Sequence, residues 1–254
     1  VSYCNMERSN IYEKTRINPE NVGGGAYLSS LQAFTLAEVL ITLGIIGVVA
    51  AMTMPALIAN TKKSEYSSKL KKVYSSLSQA VLLAENNTGM SSLDWGRNGS
   101  IQDESGEYDE VLNDTENYNF FMTYFAPVLN YMSVEKGGYI ESDGEELFHG
   151  TKVYLSDGIV LTFTNGVCFD IVADLNGNKR PNQEGRDIYR FLLCSRENAK
   201  AYFGNENQSF GTYAPVRMSS RDDALQKCKE EPAYCSTLLI RDNWEFKDDY
   251  PYRL

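Results

Sequence analysis

The chain has 254 residues, of which 43% are apolar, and this share is enough to build a folded core. Its net charge of −10 is unevenly placed, because residues 34–88 sum to +2 and residues 89–254 to −12. Nucleic-acid binding needs clustered Lys and Arg to neutralise phosphates. The acidic C-terminal part is therefore not expected to bind nucleic acid.

The first predicted element is a membrane-spanning helix within residues 34–59. From Val39 to Ala59 there are 21 residues without a charge. At about 1.5 Å per residue, a helix of this length matches the roughly 30 Å hydrocarbon core of a bilayer. A buried helix of a soluble protein is the alternative, but such helices are seldom apolar on every side. Cleavable secretory signals have shorter apolar regions of roughly 7–15 residues, so we expect the helix to remain in the mature protein.

Residues 60–88 are predicted to continue this helix as an amphipathic helix. The apolar residues follow the spacing of one helical face, and they are Tyr66, Leu70, Val73, Tyr74, Leu77, Ala80, Val81 and Ala84. Asn86, Asn87 and Gly89 then supply a stop signal. Gly tolerates the left-handed conformation that closes helices.

A short motif lies at the front edge of the apolar run, and it reads Ala33-Phe34-Thr35-Leu36-Ala37-Glu38. A small residue, then Phe, Thr, Leu, any residue and Glu, opening a long apolar helix, resembles the prepilin cleavage and methylation motif of type IV pilin-like and pseudopilin proteins. The resemblance implies that a membrane-embedded prepilin peptidase cuts between Ala33 and Phe34 on the cytoplasmic side and N-methylates Phe34. Residues 1–33 would then be a leader peptide.

Glu38 is the one charge in the stretch from Ala33 to Ile58. A carboxylate inside a bilayer costs several kcal/mol, so it persists only where pairing or function compensates. Cleavage would create an amine at Phe34 that is largely protonated at neutral pH. The resemblance implies that Glu38 neutralises the amine of a neighbouring subunit during assembly. The alternative is that the Glu38 side chain reaches to the lipid surface.

Residues 89–254 are predicted to form a globular domain outside the cytoplasm. Residues 89–117 are rich in Ser, Asp, Glu, Asn and Gly and are interpreted as an exposed loop. A helix that packs on the core is predicted from Asn117 onward. Its apolar side would carry Phe121, Tyr124, Phe125, Val128 and Met132.

From Thr151 onward the period of the apolar residues changes to two. Short β-branched and aromatic runs are separated by Asp157-Gly158 and Asn165-Gly166, which are strong hairpin signals. Asp187 to Cys194 is interpreted as a further strand. The sequence therefore predicts an α+β fold in which a long N-terminal helix packs on an antiparallel β-sheet. This arrangement is also the pilin-like architecture that the resemblance implies.

The loop between the last two of these strands carries four oxygen-bearing side chains of the kind that Ca²⁺ prefers. They are Asp174, Asn176, Asn178 and Asp187. Against a Ca²⁺ site, Lys179 lies where an EF-hand loop has Gly. The other interpretation, which we favour, is a turn-rich hairpin whose Asn and Asp side chains bond their own backbone. A similar run occurs in pseudopilin-like proteins, and no other cofactor is expected.

Four of the five cysteines follow the apolar helix, and an even number in that place indicates an oxidising compartment. Cys228 and Cys235 are separated by a span that a turn can close into a disulfide. Cys168 and Cys194 lie in predicted strands that would bring them together if adjacent, and two buried free thiols are the alternative for this pair. The aromatic residues expected to pack the C-terminal segment onto the sheet are Trp244, Phe246, Tyr250 and Tyr252.

We therefore expect a structural subunit of a type II secretion pseudopilus or a type IV pilus-like machine, and not an enzyme. It would cross the inner membrane once, and its partners would be the prepilin peptidase, other pilin or pseudopilin subunits and the inner-membrane assembly platform. The single histidine, His149, is interpreted as solvated, and no P-loop, GxSxG, HExxH or CxxC motif occurs. The alternative is a single-pass membrane-anchored domain that binds Ca²⁺ or a cationic partner without polymerising.

Overall fold

A computed structural model of the chain describes residues 35–96, 99, 101–107, 109–138 and 150–254. The predictions for the leader, for Ala33 and Phe34 and for His149 fall outside these residues. The chain divides into two units, with the boundary between Val49 and Ala50. The described part of the first unit is the beginning of helix α1 (Leu36–Thr88), and the second unit contains the rest of α1 and all other elements.

The described part of the second unit combines helices with a β-sheet. Its helices after α1 are α2 (Glu110–Phe120), which continues into a π-helical turn (Phe121–Phe125), α3 (Arg196–Phe203), α4 (Arg221–Glu230) and α5 (Cys235–Arg241). Short 3-10 turns lie at Ser92–Asp94, Pro215–Arg217 and Pro232–Tyr234. The predicted α+β class is confirmed.

The described residues contain a six-stranded antiparallel sheet in which each strand pairs with the next along the chain. The strands are β1 (Ser133–Lys136), β2 (Thr151–Tyr154), β3 (Val160–Thr164), β4 (Phe169–Asp174), β5 (Ile188–Leu193) and β6 (Phe210–Thr212). The two predicted hairpin turns are confirmed, because Asp157-Gly158 joins β2 to β3 and Asn165-Gly166 lies between β3 and β4. Gly158 has φ +80°, a conformation that favours glycine.

The core lies between α1 and one face of the sheet. Seven of the eight apolar residues predicted for the amphipathic part of α1 are buried, and they are Tyr66, Leu70, Val73, Leu77, Ala80, Val81 and Ala84. The eighth, Tyr74, is partly buried, and its ring centroid lies 6.0 Å from that of Phe191 and 5.5 Å from that of Phe210. Gly89, at φ +67°, follows the last residue of α1 as predicted.

Helix α2 begins earlier than the sequence indicates. It starts at Glu110, so the interpretation of residues 89–117 as a loop is wrong over its last eight positions. The helix is mostly polar, and side-chain hydrogen bonds fix its start: the Leu112 N–H donates to Asp109 Oδ1 at 2.9 Å. Met132, predicted on the core side, is 72% exposed because the helical segment ends before it.

Candidate functional site

The start of α1 is capped by three hydrogen bonds between Thr35 and Glu38, which run in both directions. The Thr35 N–H and Oγ1 both donate to Glu38 Oε2, at 2.8 and 2.9 Å, and the Glu38 N–H donates to Thr35 Oγ1 at 3.2 Å. This is the capping box that Thr-x-x-Glu forms at a helix N-terminus. Sequence reasoning missed it, although the Thr35 to Glu38 spacing carries the signal. The carboxylate therefore has a partner within its own chain.

The apolar side chains of α1 that precede the core are uncovered. Every large apolar residue from Leu36 to Ile58 is exposed, including Leu36 at 78% and Met52 at 77%. Among the residues that the structure describes, α1 is the one helix long and apolar enough to cross a membrane. An exposed apolar surface of this extent is typical of a helix covered by lipid or by other helices.

The loop that joins β4 to β5 brings three of its four predicted oxygen ligands together. Asp174 accepts hydrogen bonds from the backbone N–H groups of Asn176, Gly177 and Asn178, at 2.9 to 3.0 Å. The Asn176 side-chain amide donates to Asp187 Oδ2 at 3.0 Å. These bonds are the ones expected of a self-bonded turn.

The loop differs from the prediction at Asn178 and at Asn182. Asn178 is exposed, and it bonds Asp174 through its backbone N–H at 3.0 Å. Asn182, which sequence reasoning did not select, donates its backbone N–H to Asp187 Oδ2 at 3.0 Å. The side-chain oxygens of Asn176 and Asn182 are buried and have no hydrogen-bond partner among the described residues. Among the described residues, no group of three or more His, Cys, Asp or Glu side chains is placed to hold a metal ion. A cation in this loop would therefore need the two aspartates together with the amide oxygens of Asn176 and Asn182.

Burial sets the electrostatics of this loop. Asp174 is 6% exposed and Asp187 is fully buried. Burial raises the pKa of Asp174 to about 6, and the neighbouring Asp187 carboxylate adds to the rise, while the backbone N–H bonds oppose it. Bound Ca²⁺ would offset the repulsion between the two carboxylates.

Both expected disulfides are present. Cys168, just before β4, is bridged to Cys194, just after β5, with their Cα atoms 4.4 Å apart. Cys228 at the end of α4 is bridged to Cys235 at the start of α5, with a Cα separation of 4.6 Å. The alternative of two free thiols at positions 168 and 194 is wrong. Disulfides are typical of proteins outside the cytoplasm.

The aromatic C-terminal segment packs where the sequence predicts. The ring centroids of Trp244 and Phe191 are 6.2 Å apart, and those of Phe246 and Tyr189 are 6.3 Å apart. The Tyr250 hydroxyl donates to the carbonyl oxygen of Gly185 at 2.6 Å. This segment therefore supports the loop that carries Asp174 and Asp187.

A comparison with protein families matches residues 56–254, more than half of the chain, to a model described as "Family of unknown function (DUF6613)". The chain belongs to this family. No curated protein and no solved structure matches the chain. The DUF6613 match includes the loop from Asp174 to Asp187 and the four bridged cysteines, whereas Thr35 and Glu38 precede it.

If the loop of this DUF6613 protein binds Ca²⁺, the ion is expected to raise the thermal unfolding midpoint, whereas the self-bonded turn predicts no change. A ligand that binds only the native state at a hundred times its Kd adds about 2.7 kcal/mol to the free energy of unfolding. The rise should be larger at about pH 7.5 than at about pH 5, because protonation of Asp174, whose pKa is raised to about 6, competes with the metal. Differential scanning calorimetry with added Ca²⁺ or chelator measures both effects.

Two variants sharpen this test. Asp187→Asn should abolish the response to Ca²⁺, since it removes a buried carboxylate of the loop. It also removes an acceptor of the Asn182 and Gln183 N–H groups, so its midpoint with Ca²⁺ is compared with its own midpoint in chelator. Asp222→Asn, which changes an exposed carboxylate of α4, should leave the response unchanged. If neither Ca²⁺ nor chelator changes the unfolding midpoint, the loop is a self-bonded turn that does not bind Ca²⁺.

Proposed function

We propose that this chain is a pilin-like structural subunit of a type II secretion pseudopilus or a type IV pilus-like machine. One observation carries the proposal: the segment that resembles the prepilin motif leads directly into α1, whose first part is bare and apolar and whose later part is built into the core. In such a subunit, the exposed apolar segment of the helix anchors the protein in the membrane, and the folded domain lies outside the cytoplasm. The role requires contact between subunits and no catalytic turnover.

The proposed localisation is a single pass through the inner membrane, with the globular domain outside the cytoplasm. The bare apolar segment of α1 supports the membrane anchor. The two disulfides support an oxidising compartment for the domain. The partners in this proposal are the prepilin peptidase, other subunits of the same type and the inner-membrane assembly platform.

Processing by a prepilin peptidase tests the proposal most directly. Co-expression with such a peptidase should remove residues 1–33 and leave an N-methylated Phe34, which mass spectrometry of the intact protein detects. Ala33→Leu is the matched control, because it replaces the small residue before the cleaved bond and should block processing. An intact residue 1–33 segment, in cells where the peptidase processes a known prepilin, would refute the proposal.

A second candidate function is a single-pass membrane-anchored domain that binds Ca²⁺ without polymerising. The unpartnered, buried oxygens of Asn176 and Asn182 beside two buried aspartates favour it. Cysteine crosslinking at exposed positions of α1 separates the two functions. A ladder of crosslinked subunits through the helix supports assembly, and a monomer that still binds Ca²⁺ supports the anchored domain.

A further inference from the structure

A cavity of about 200 Å³ lies between the end of α2, its π-helical turn and the turn that joins β3 to β4. The helical side contributes Glu116, Asn119 and Thr123, and the sheet side contributes Asn165 and Phe169. Sites for drug-sized ligands have volumes of roughly 300–1,000 Å³. The cavity is therefore sized for one small ring and not for a chain of several.

Stacked aromatic rings form part of its wall. Phe120 stacks on Phe169 with 4.3 Å between ring centroids, and Tyr124 stacks on Trp95 with 4.2 Å between centroids. All of these rings except Trp95 line the cavity. Stacking fixes the rings in place, so the wall is preformed and offers an apolar surface to a ligand.

A buried network of side-chain amides lies behind the cavity. Asn165 Nδ2 donates to Asn113 Oδ1 at 2.6 Å, and Asn117 Nδ2 donates to Asn165 Oδ1 at 3.4 Å. Asn117 is fully buried and lines the cavity, but its Oδ1 has no hydrogen-bond partner among the described residues. A buried acceptor without a donor costs about 1–3 kcal/mol. Because this oxygen has almost no accessible surface, a ligand in the cavity does not reach it, and the amide network serves as a fixed part of the wall.

The backbone beside the cavity is a π-helical turn, Phe121–Phe125. Such turns are rare and frequently lie at functional sites, because the wider turn changes which side chains share a face. Here the turn carries Thr123 and Tyr124, both of which line the cavity. The local departure from α-helix therefore coincides with the site.

The charge of the lining selects the class of ligand. Within the part of the chain that the structure describes, the lining has one carboxylate, Glu116, and no Lys, Arg or His. One carboxylate is too few for a metal ion, and the other described polar groups of the lining are neutral. The remaining polar groups are the amides of Asn117, Asn119 and Asn165 and the Thr123 hydroxyl, which bond neutral donors and acceptors.

We propose that this cavity binds a single neutral sugar ring, with the apolar C–H face of a pyranose on the aromatic wall and its hydroxyls on the amides and Glu116. Pyranose rings combine one apolar face with a rim of hydroxyls, and this combination matches the wall and the polar groups. The site is independent of the proposed assembly role, since none of its residues belongs to α1.

Saturation-transfer difference NMR on the full chain tests the site. The chain is kept in a detergent without a sugar headgroup, because alkyl maltosides would compete. The probes are glucose, galactose, mannose, N-acetylglucosamine and N-acetylgalactosamine, with sorbitol as an open-chain polyol that lacks the ring face. At least one pyranose should show saturation transfer, and sorbitol should show much less.

Three variants assign the signal to the cavity. Asn119→Ala should weaken binding about threefold to tenfold, the loss expected for one neutral hydrogen bond. Thr123→Trp should fill the cavity and abolish transfer, and Met122→Ala, on an exposed residue of the same turn outside the lining, should change nothing. No transfer from any of the five sugars overturns the proposal, as does transfer that persists in a folded Thr123→Trp protein. If Thr123→Trp does not fold, an unchanged affinity in Asn119→Ala overturns it instead.

Discussion

Glu38→Gln is expected to abolish assembly of the subunit while leaving it in the membrane. Gln at the third helical position closes a capping box as Glu does, so the hydrogen bonds with Thr35 at the start of α1 should persist. A neutral amide cannot neutralise the Phe34 amine of a neighbouring subunit, and an unpaired charge within a bilayer costs several kcal/mol. Assembly should therefore fall by orders of magnitude. Assembly is measured by crosslinking through α1 and by electron microscopy, in cells that express the complete pilus-like assembly machine.

Thr35→Val is the matched control for this experiment. It removes the Oγ1 atom from the capping box and keeps the carboxylate, and loss of a cap costs about 1 kcal/mol of helix stability. Assembly should survive in this variant. Normal filaments from Glu38→Gln together with failure of Thr35→Val would reverse the assignment, because the carboxylate would then serve only to begin the helix. Glu38→Ala, which loses both cap and charge, should be as defective as Glu38→Gln.

Removal of the two disulfides is expected to cost unequal amounts of stability. Replacing Cys168 and Cys194 by Ser should lower the free energy of unfolding by about 3.5 kcal/mol, and replacing Cys228 and Cys235 by about 2.4 kcal/mol. The difference follows from the length of chain that each bridge closes, with sequence separations of 26 and 7 residues. A longer closed loop removes more conformational entropy from the unfolded chain. Urea unfolding of the full chain in detergent measures both losses.

The two double variants serve as controls for each other, and peptide mapping of the unreduced wild type serves both. Free, alkylatable Cys228 and Cys235 in that map would refute the bridge and weaken the assignment of the domain to an oxidising compartment. An equal or larger loss from the shorter loop would show that chain entropy does not set these stabilities. Addition of a thiol reductant to wild type should reproduce the sum of the two losses.

The elements that the sequence predicted well are those with a strict apolar period. The buried stripe of α1 repeats every three or four residues, and β3 and β4 are bounded by Asp157-Gly158 and Asn165-Gly166. The buried side of a helix or strand requires this spacing wherever it packs on a core. Periodicity and turn chemistry together therefore determined the central helix and the middle of the sheet.

The missed elements depend on tertiary contacts or on side-chain caps. Strand β1 has one apolar residue, Val134, and exists because it pairs with β2. Helix α4 is mostly polar and begins at a capping box, in which the Asp223 N–H donates to Ser220 Oγ at 3.1 Å and the Ser220 N–H donates to Asp223 Oδ2 at 3.1 Å. Neither feature has an apolar period that a reading of the sequence could detect.

In the candidate Ca²⁺ loop, too, some features could be predicted from the sequence and others could not. The oxygens near Asp174 and Asp187 could be predicted from residue type, but their directions could not. Asn178, at φ +33°, is exposed, while Asn182, at φ +47°, is buried and lies against Asp187. Which of two asparagines in a turn faces inward depends on backbone conformation at each position, and residue spacing alone does not specify it.

The contact between Tyr74 and Trp244 has a consequence for the order of events during synthesis. Their ring centroids are 5.2 Å apart, although 170 positions separate them in the chain. A ribosome releases α1 long before it reaches Trp244, so the apolar stripe of the helix must wait uncovered while the rest of the polypeptide emerges. Contacts between the helix and the segment around Trp244 therefore form late relative to the synthesis of α1. Until then, this part of the stripe can contact other exposed apolar surfaces.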